Sequence, residues 1–446
     1  MKRLLSLLCA IGVLGSMSGC AKSDPLTVYD SQGTVIATLD NAGSYDKQLT
    51  DPTQRDYINH VIQEAIDALA AQRQCTATEA KKLLFREGYS LHTAYDPTAH
   101  AALDRMAKNH TQEQLAIGCA VIGYDGGIRA IYSGGDESYA LMRHSPFSTI
   151  KPLSVYAPAI ENGVADWSTR ITDMPYKQLA DADGRMKDWP VNPSQGYTYQ
   201  PTTLLECIKQ SLNTAAVHCL KSIGVENSIK FLQETFGINL NYEQNKLTVS
   251  GEDEVLGNVA LGYFYTGVTP IDLAGYYQIF GNSGQYTRPH ALVKITGHDG
   301  TTIYAYESET KQVIREDTAY IMNRLLSAVV SPGGTGAKAK VPDAELIGKT
   351  GTGNDEGGNW FVGVTPEYTC AIWHGYKEKT GNIAASLFTE VAENMPAHTQ
   401  KKFLASSAVR KGVYCSQSGK LYSSSCSQMQ IGYYAVNRKP TVCDAH

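Results

Sequence analysis

The sequence of 446 residues lacks an apolar run of the length that a membrane-spanning helix needs, about 20 residues. It also lacks a dominant charge, since 39 basic and 44 acidic residues give a formal net charge of −5. Without a basic field, the composition gives no reason to expect a nucleic-acid partner. With 42% hydrophobic and 19% charged residues, the chain has the composition of a folded globular protein.

The spacings typical of zinc sites are missing too. The 10 cysteines include no C-x-x-C pair, and the 11 histidines form no cluster. Cys415, Cys426 and Cys443 lie near the C-terminus, whereas the other cysteines beyond position 20 are scattered between 75 and 370. Spacing alone does not fix a disulfide pairing. We therefore expect no metal ion and no cofactor, and the pairing of the cysteines stays open.

Residues 1–19 have the pattern of a secretory signal peptide. Two basic residues precede an apolar stretch and a run of mostly small residues. The segment ends at Met17-Ser18-Gly19-Cys20, which resembles a bacterial lipobox, the signal whose cysteine receives a diacylglycerol. The sequence therefore predicts lipidation of Cys20 and a membrane tether on the extracytoplasmic face of the bacterial cell. The alternative is an ordinary cleaved signal that ends near a cysteine.

After the signal, residues 20–110 are predicted to form an N-terminal linker or pedestal. This region contains a hairpin over 28–37 and a helix over 56–74, where apolar residues recur with helical spacing. A shorter helix is predicted over 79–85 with Thr78 as its cap, and Asp96 is predicted to cap a helix that starts at Pro97. No catalytic group is evident here.

Residues 111–400 are predicted to form the main domain, and residues 401–446 a cysteine-containing tail. Two β-rich runs open the domain and three close it, with helical stretches between them: 117–124, 128–133, 344–352, 359–364 and 368–376. Separate β units would have too few strands to be stable. We therefore predict an α/β fold of the α+β kind, with one five-stranded antiparallel sheet flanked by helices.

The first motif with chemical meaning is Ser148-Thr149-Ile150-Lys151. Residues three apart share a helix face, so the Lys151 amine can reach the Ser148 hydroxyl. Pro152 follows, and because proline disrupts a helix interior, the helix is predicted to begin close to Ser148. The helix dipole would then favour negative charge at the serine. Alone, the motif is weak, since Ser-x-x-Lys occurs by chance in many proteins.

The second motif, Ser211-Leu212-Asn213, falls at a break between two helical stretches. Ser211 can relay a proton, and Asn213 can bind a substrate amide. The alternative is structural: either side chain can cap a helix by accepting from its free amides. Taken alone, the pattern favours the cap.

The third motif, Lys349-Thr350-Gly351-Thr352, lies on a predicted strand. Such a strand can bind an extended peptide by edge pairing, and Gly351 leaves room for a close approach of the backbone. Lys349 supplies a positive charge for a substrate carboxylate, and near Lys151 it would help to keep that amine neutral. The alternative is an exposed edge strand with an ordinary lysine.

Together, and in this order, the three motifs resemble those of the penicillin-binding protein and serine β-lactamase superfamily. The similarity to class A penicillin-binding proteins runs from about residue 86 to 446. It includes residues 143–163 around the first motif, the helical stretch 258–289 and the last three strands over 347–376. The cysteine-bearing tail also resembles the C-terminus of some members. The resemblance implies their transpeptidase fold, with a helical subdomain beside the sheet.

The resemblance further implies a serine-type D-Ala-D-Ala transpeptidase that acts on peptidoglycan stem peptides and is covalently inhibited by β-lactam antibiotics. The residues carried over are Ser148, Lys151, Ser211, Asn213 and Lys349 as the catalytic set, and Thr350, Gly351 and Thr352 as the substrate-binding strand. Ser148 would be the nucleophile and Lys151 its base. Backbone amides of Ser148 and Thr352 would form the oxyanion hole.

Several related activities stay open. A D,D-carboxypeptidase would use the same residues, with water in place of the acceptor amine. A serine β-lactamase is disfavoured because no glutamate, Glu161 included, stands at a recognisable position for activating a deacylating water. A carbamylated-lysine hydrolase shares Ser-x-x-Lys, but its second motif usually ends in an apolar residue and not in Asn213. A non-enzymatic β-lactam sensor or scaffold is the remaining alternative, which the intact catalytic groups disfavour.

The sequence departs from the class A pattern in four places. Too few residues separate Cys20 from the matching region for a glycosyltransferase domain, so we expect no glycan polymerisation and a separate glycosyltransferase as a possible partner. Phe147 stands where glycine is usual before the nucleophile. His374 replaces an apolar residue, and Asn359 stands where an acid is common. None of these departures removes a catalytic group.

Overall fold

The structure is a computed structural model that describes residues 24–40, 45–49, 52–110, 115–135, 137–180, 183–194, 196–240, 252–264, 266–353, 358–375, 381–396, 401–438 and 440–444. The predicted signal peptide and the lipidation site at Cys20 lie outside these residues. Among the helices that it describes, none has both the length and the apolar character that crossing a membrane requires.

The helices and strands follow one another along the whole described chain. The strands are β1 (Leu26–Tyr29), β2 (Val35–Leu39), β3 (Ser90–Thr93), β4 (Ala116–Gly123), β5 (Ile128–Gly134), β6 (Arg170–Thr172), β7 (Lys177–Ala180), β8 (Met186–Trp189), β9 (Pro201–Thr203), β10 (Gln285–Thr287), β11 (Leu292–Thr296), β12 (Thr302–Ala305), β13 (Thr310–Gln312), β14 (Ile347–Thr352), β15 (Asn359–Val364), β16 (Tyr368–Gly375), β17 (Val409–Cys415) and β18 (Met429–Ala435). The helices are α1 (Pro52–Arg73), α2 (Ala77–Arg86), α3 (Pro97–Asn109), α4 (Ala157–Glu161), α5 (Leu204–Lys209), α6 (Asn213–Ile223), α7 (Val225–Phe236), α8 (Glu252–Leu261), α9 (Pro270–Gly281), α10 (Glu316–Val329) and α11 (Ala384–Glu393).

The central sheet joins two strands from the start of the main domain to three from its end. Its strand order is β14-β15-β16-β4-β5, and each neighbouring pair is antiparallel. Every residue of β15 and β16 is buried, so the middle of the sheet is covered on both faces. The five-stranded antiparallel sheet predicted from the sequence is therefore confirmed, and β14, which carries Lys349, is its edge strand.

Alternate side chains of this sheet enter two different cores, as the pleat of a strand requires. Val362 and Ala371 belong to the larger core, which includes α9 and α10. Phe361 and Ile372 belong to the smaller core, which includes α3 and α11. The sheet thus separates two helical layers, the α+β arrangement that the sequence predicts.

A second five-stranded sheet, of order β12-β11-β3-β1-β2, lies in the N-terminal region. The predicted hairpin is present as β1 and β2, and the predicted long helix as α1. The cap of α2 is Thr76, which forms a capping box with Glu79, so the choice of Thr78 was wrong. Asp96 caps α3 and Pro97 is its first residue, as predicted.

The N-terminal and main regions are interleaved. Strands β11 and β12, from the middle of the main domain, complete the N-terminal sheet. In return, α3 from the N-terminal region packs on the central sheet and against α11. The central sheet is therefore supported by both regions.

Candidate active site

Ser148 lies at the start of a helical segment. Residues Phe147–Ile150 form a 3₁₀ turn, Pro152–Tyr156 form a π-helical turn, and α4 continues from there. The Lys151 amide donates to the Ser148 carbonyl, and side chains three apart lie nearly one above the other in 3₁₀ geometry. The helix thus begins close to Ser148, as predicted, and its first turn holds Ser148 and Lys151 on one face.

The residue before Ser148 has an unusual backbone. Phe147 has a φ of 48°, a left-handed conformation that is costly for a bulky side chain. Its amide donates to the Gly262 carbonyl at 3.1 Å, and a Cβ on Gly262 would lie 2.2 Å from the Phe147 carbonyl oxygen. Glycine adopts this conformation freely, which explains why glycine is usual here in the proteins that the chain resembles.

The Lys151 amine is fully buried and has three acceptors around it. Nζ lies 2.6 Å from Asn213 Oδ1, 2.8 Å from the Ser211 carbonyl oxygen and 3.4 Å from Ser211 Oγ. Burial lowers the pKa of Lys151 well below the ordinary lysine value, and the charge of Lys349 lowers it further. This lowered pKa favours the neutral amine, which is the form that can accept a proton.

Ser211 and Asn213 stand at the junction of α5 and α6. Ser211 has a left-handed backbone with a φ of 57°, and Asn213 begins α6. The free amides of this helix are capped by Asn192, whose Oδ1 accepts from Asn213 N at 2.9 Å and from Thr214 N at 3.2 Å. The helix-cap alternative for the second motif is therefore wrong, because another residue caps the helix and leaves the Asn213 side chain to Lys151.

Asn192 is fixed in turn by a buried carboxylate. Asp173 Oδ1 accepts from Asn192 Nδ2 and from Thr214 Oγ1, both at 2.7 Å, and Asp173 Oδ2 accepts from Thr198 N at 2.8 Å. Burial alone would raise the pKa of Asp173, but these hydrogen bonds outweigh it and the pKa is lowered. This network is not predictable from the sequence, since neither Asp173 nor Asn192 belongs to a recognisable motif and only the fold brings them to α6.

Lys349 enters the same cluster from β14. Its Nζ donates to Ser211 Oγ at 2.9 Å and to the Thr350 carbonyl oxygen at 2.9 Å. Burial lowers the pKa of Lys349 to about 7. The Ser211 hydroxyl therefore lies between two buried amines, one from each of the other two motifs.

The rest of the third motif lies along the edge of the sheet. Thr350 Oγ1 donates to Thr335 Oγ1 at 2.8 Å, and Thr352 is exposed. A Cβ on Gly351 would lie 2.9 Å from the Pro146 carbonyl oxygen, so the strand packs directly on the turn that holds Ser148. Asn382 donates to the Gly351 carbonyl at 2.9 Å and to Thr352 Oγ1 at 3.2 Å, another contact that the sequence did not predict.

The Ser148 hydroxyl, unlike the other motif side chains described above, is not part of their hydrogen-bond network. The residue is partly exposed, and its side chain makes no hydrogen bond with any other residue that the structure describes. Ser148 and Lys151 belong to the same helical turn, and the printed partners of the Lys151 amine are Asn213 and Ser211. Within the described part of the chain, the side chains grouped closely enough to hold a metal ion lie elsewhere, in the tail.

Comparison with known proteins agrees with this geometry. The sequence pattern of the penicillin-binding protein transpeptidase domain matches residues 134–393. Penicillin-binding protein 4 of Bacillus subtilis is 32% identical over 301 residues, which cover 66% of this chain and 45% of that protein. Penicillin-binding protein 1A of Clostridium acetobutylicum is 32% identical over 268 residues, which cover 58% of this chain and 32% of that protein.

Solved structures share the fold at lower identity. Penicillin-binding protein A from M. tuberculosis, described as an imipenem acyl-enzyme complex, superposes with a TM-score of 0.63 at 16% identity and covers 84% of this chain and 99% of that chain. The chain spans less than half the length of the two relatives named above. Because the domain match covers more than half of the sequence, the chain belongs to the penicillin-binding protein transpeptidase family.

Proposed function

We propose that the chain is a serine D,D-transpeptidase that acts on peptidoglycan stem peptides ending in D-Ala-D-Ala through an acyl-enzyme at Ser148. The observation that carries the proposal is the position of Ser211 Oγ, 3.4 Å from the Lys151 amine and 2.9 Å from the Lys349 amine. It links a general base to a positive charge on the peptide-binding edge. The imipenem acyl-enzyme of the M. tuberculosis neighbour supports covalent inhibition by β-lactams.

In the first step, neutral Lys151 takes the proton of Ser148 Oγ while that oxygen attacks the carbonyl carbon of the penultimate D-Ala. A C–O bond forms, and the carbonyl electrons move onto its oxygen. Backbone amides of Ser148 and Thr352 would bind this oxyanion, a contribution of about 3 kcal/mol per donor in comparable sites. The C–N bond then breaks, and Ser211 passes the proton from Lys151 to the leaving amine of the terminal D-Ala.

The substrate is held along β14. As the edge strand of the central sheet, β14 can pair with an extended peptide. The substrate carboxylate would lie against Lys349, Thr350 and Thr352, and Gly351 keeps this edge close to the serine turn. The Lys349 amine also donates to Ser211, so carboxylate binding and proton relay share one positive group.

In the second step, an amine from a neighbouring stem peptide attacks the acyl-enzyme and forms the cross-link. If water takes that role, the enzyme is a D,D-carboxypeptidase, or a β-lactamase when the acyl group comes from a β-lactam. A sensor or scaffold would use the same fold without turnover. Lys151 and Lys349 are both buried and both have a lowered pKa, which favours an enzyme. Burying two amines costs desolvation free energy, and an inactive scaffold gains no function in return.

We also propose that the reaction takes place at the outer surface of the cell membrane. Cys20 would carry a lipid that tethers the chain to the extracytoplasmic face of the membrane, where peptidoglycan is assembled. A separate glycosyltransferase that supplies the glycan strands would be a partner in this setting.

Product analysis tests the proposed reaction. The full chain is incubated with a stem-peptide donor ending in D-Ala-D-Ala, with and without an added amine acceptor, and the products are identified by mass spectrometry. We expect release of D-Ala together with a donor–acceptor amide. Release of D-Ala with hydrolysed donor alone would favour the carboxypeptidase. Rapid hydrolysis of a labelled penicillin would favour a β-lactamase, and no reaction with either compound would favour a scaffold.

The rate constant for acylation by a labelled penicillin is expected to fall as the pH rises above about 7. Burial sets the pKa of Lys349 at about 7, so a higher pH removes the charge that attracts the penicillin carboxylate. On the acid side the rate should fall again as Lys151 becomes protonated, which gives a bell-shaped profile whose limbs belong to the coupled pair.

The measurement is the second-order rate constant for acylation across the pH range in which the protein stays folded. The Lys349→Arg variant keeps its charge at every such pH, so its alkaline limb should disappear even if its rate is lower. An alkaline limb that persists unchanged in this variant would assign the fall to another group.

A further inference from the structure

Three cysteines of the tail form a compact cluster. The Sγ atoms of Cys415, Cys426 and Cys443 all lie within 4.8 Å of one another. All three residues are buried, and together they make a small core separate from the others described. Cys415 ends β17, Cys426 lies in the loop before β18, and Cys443 follows β18. The three sulfur atoms therefore join the end of β17, the loop of the hairpin and the segment after β18, which pairs with the loop at Leu421.

The tail hairpin packs on the main core through Tyr414, Tyr434 and Ala435, whereas its cysteine cluster forms a separate small core. Its sheet has two strands, and such a hairpin is marginally stable by itself. Large apolar side chains on β18 are exposed, with exposed fractions of 64% for Met429 and 63% for Ile431. Small units that cannot bury enough apolar surface usually rely on disulfides or on a structural metal ion.

We propose that the cluster binds a zinc ion through three cysteine thiolates. Zinc prefers soft sulfur ligands in tetrahedral geometry, so three thiolates leave one position for water or another external donor. A disulfide would use two of the cysteines and leave the third as a buried thiol, whereas zinc accounts for all three.

Polar groups around the sulfur atoms support a metal site. Ser418 Oγ donates to Cys443 Sγ at 3.2 Å, and the Ser423 amide donates to Cys426 Sγ at 3.4 Å. Metal ligands are typically oriented by hydrogen bonds of this kind from a surrounding shell. The proposal departs from the expected absence of a metal, because the hairpin brings together cysteines whose spacing in the sequence matches no zinc motif.

The ion would have a structural role next to the active site. Arg438, just after β18, donates to the carbonyl oxygens of Ile160 and Glu161, both at 2.9 Å. These carbonyls end α4, the helix that continues from Ser148 and Lys151. Zinc that stabilises the hairpin would therefore also keep the end of this helix capped, without taking part in the reaction.

Elemental analysis of the full chain, purified without chelators under anaerobic conditions, tests the site. We expect about one zinc per chain, and a thiolate-to-metal charge-transfer band when cobalt replaces zinc. Each of the variants Cys415→Ser, Cys426→Ser and Cys443→Ser should lower zinc affinity at least about tenfold. Cys75→Ser, a partly buried cysteine outside the cluster, is the matched control and should keep its zinc.

Chelation of the unmodified chain keeps the test independent of whether a variant folds. Removal of zinc should lower the melting temperature and make these three cysteines reactive toward an alkylating agent. An unmodified chain without stoichiometric metal, or with a disulfide between any two of the three, would overturn the proposal. Penicillin labelling of the same samples reports on Ser148 separately, so failure of the zinc site and failure of the transpeptidase proposal are distinguished.

Discussion

The Ser148→Ala variant is expected to be labelled covalently by penicillin at least about 10⁴-fold more slowly than the unmodified chain, with no loss of stability. The hydroxyl is partly exposed and makes no hydrogen bond with another described residue, so the fold does not depend on it. The variant keeps Lys151, Ser211 and Lys349 in place. It should therefore still bind penicillin reversibly through the carboxylate.

Three measurements separate these effects. Covalent labelling is followed by mass spectrometry, stability by the melting temperature, and reversible binding by calorimetry. The matched control is Ser222→Ala, because Ser222 is an exposed serine of α6 whose hydroxyl donates to the His218 carbonyl of the same helix. Labelling of Ser148→Ala at the normal rate would show that another residue is the nucleophile.

The Lys151→Met variant is expected to lose at least about 10³-fold in acylation rate, a typical contribution of a general base. Methionine has a similar length and fills the same space without an amine. Loss of the Lys151 amine leaves Asn213 Oδ1 and the Ser211 carbonyl without their donor. Each unpaired group lowers the free energy of unfolding by about 1–3 kcal/mol. The variant also no longer pays the desolvation free energy of a buried amine. This gain offsets the loss, so the melting temperature should change little.

The matched control for this variant is Lys221→Met, on the exposed side of the neighbouring helix α6. It should be acylated at the rate of the unmodified chain. A Lys151→Met rate within a factor of about ten of the unmodified rate would exclude Lys151 as the general base. The pH profile provides a second readout, since the acid limb should be lost with the amine.

Much of the fold was predictable because most strands of the central sheet have an apolar pattern that is visible in the local sequence. The apolar runs of β4, β15 and β16 are buried on both faces, and buried strands of this kind read as continuous apolar stretches. The cap of α3 was predictable for the same reason, since Asp96 and Pro97 act locally. The pairing of β11 with β3 was not, because it depends on a contact between distant segments that no local pattern encodes.

The residues of the candidate site also divide into those that the sequence predicts and those that only the fold reveals. The three motifs were predictable as sequence patterns, and the structure brings Lys151, Ser211, Asn213 and Lys349 into one hydrogen-bonded group. The residues that orient them were not predictable, because an isolated asparagine or aspartate has no pattern around it. Asn192 is the clearest case: its side-chain oxygen caps α6 and so frees Asn213 for Lys151.

The closure of the central sheet by distant parts of the chain has a consequence for biogenesis. Residues 116–123 pair with residues 368–375, so this contact forms only after most of the chain has been synthesised. Pairing over such a separation is slow relative to local folding. An incomplete chain contains the helical turn with Ser148 but not strand β14 with Lys349. The edge strand that would bind a substrate next to Ser148 is then missing. Penicillin labelling of newly made protein would therefore measure completed folding and not merely the amount of chain present.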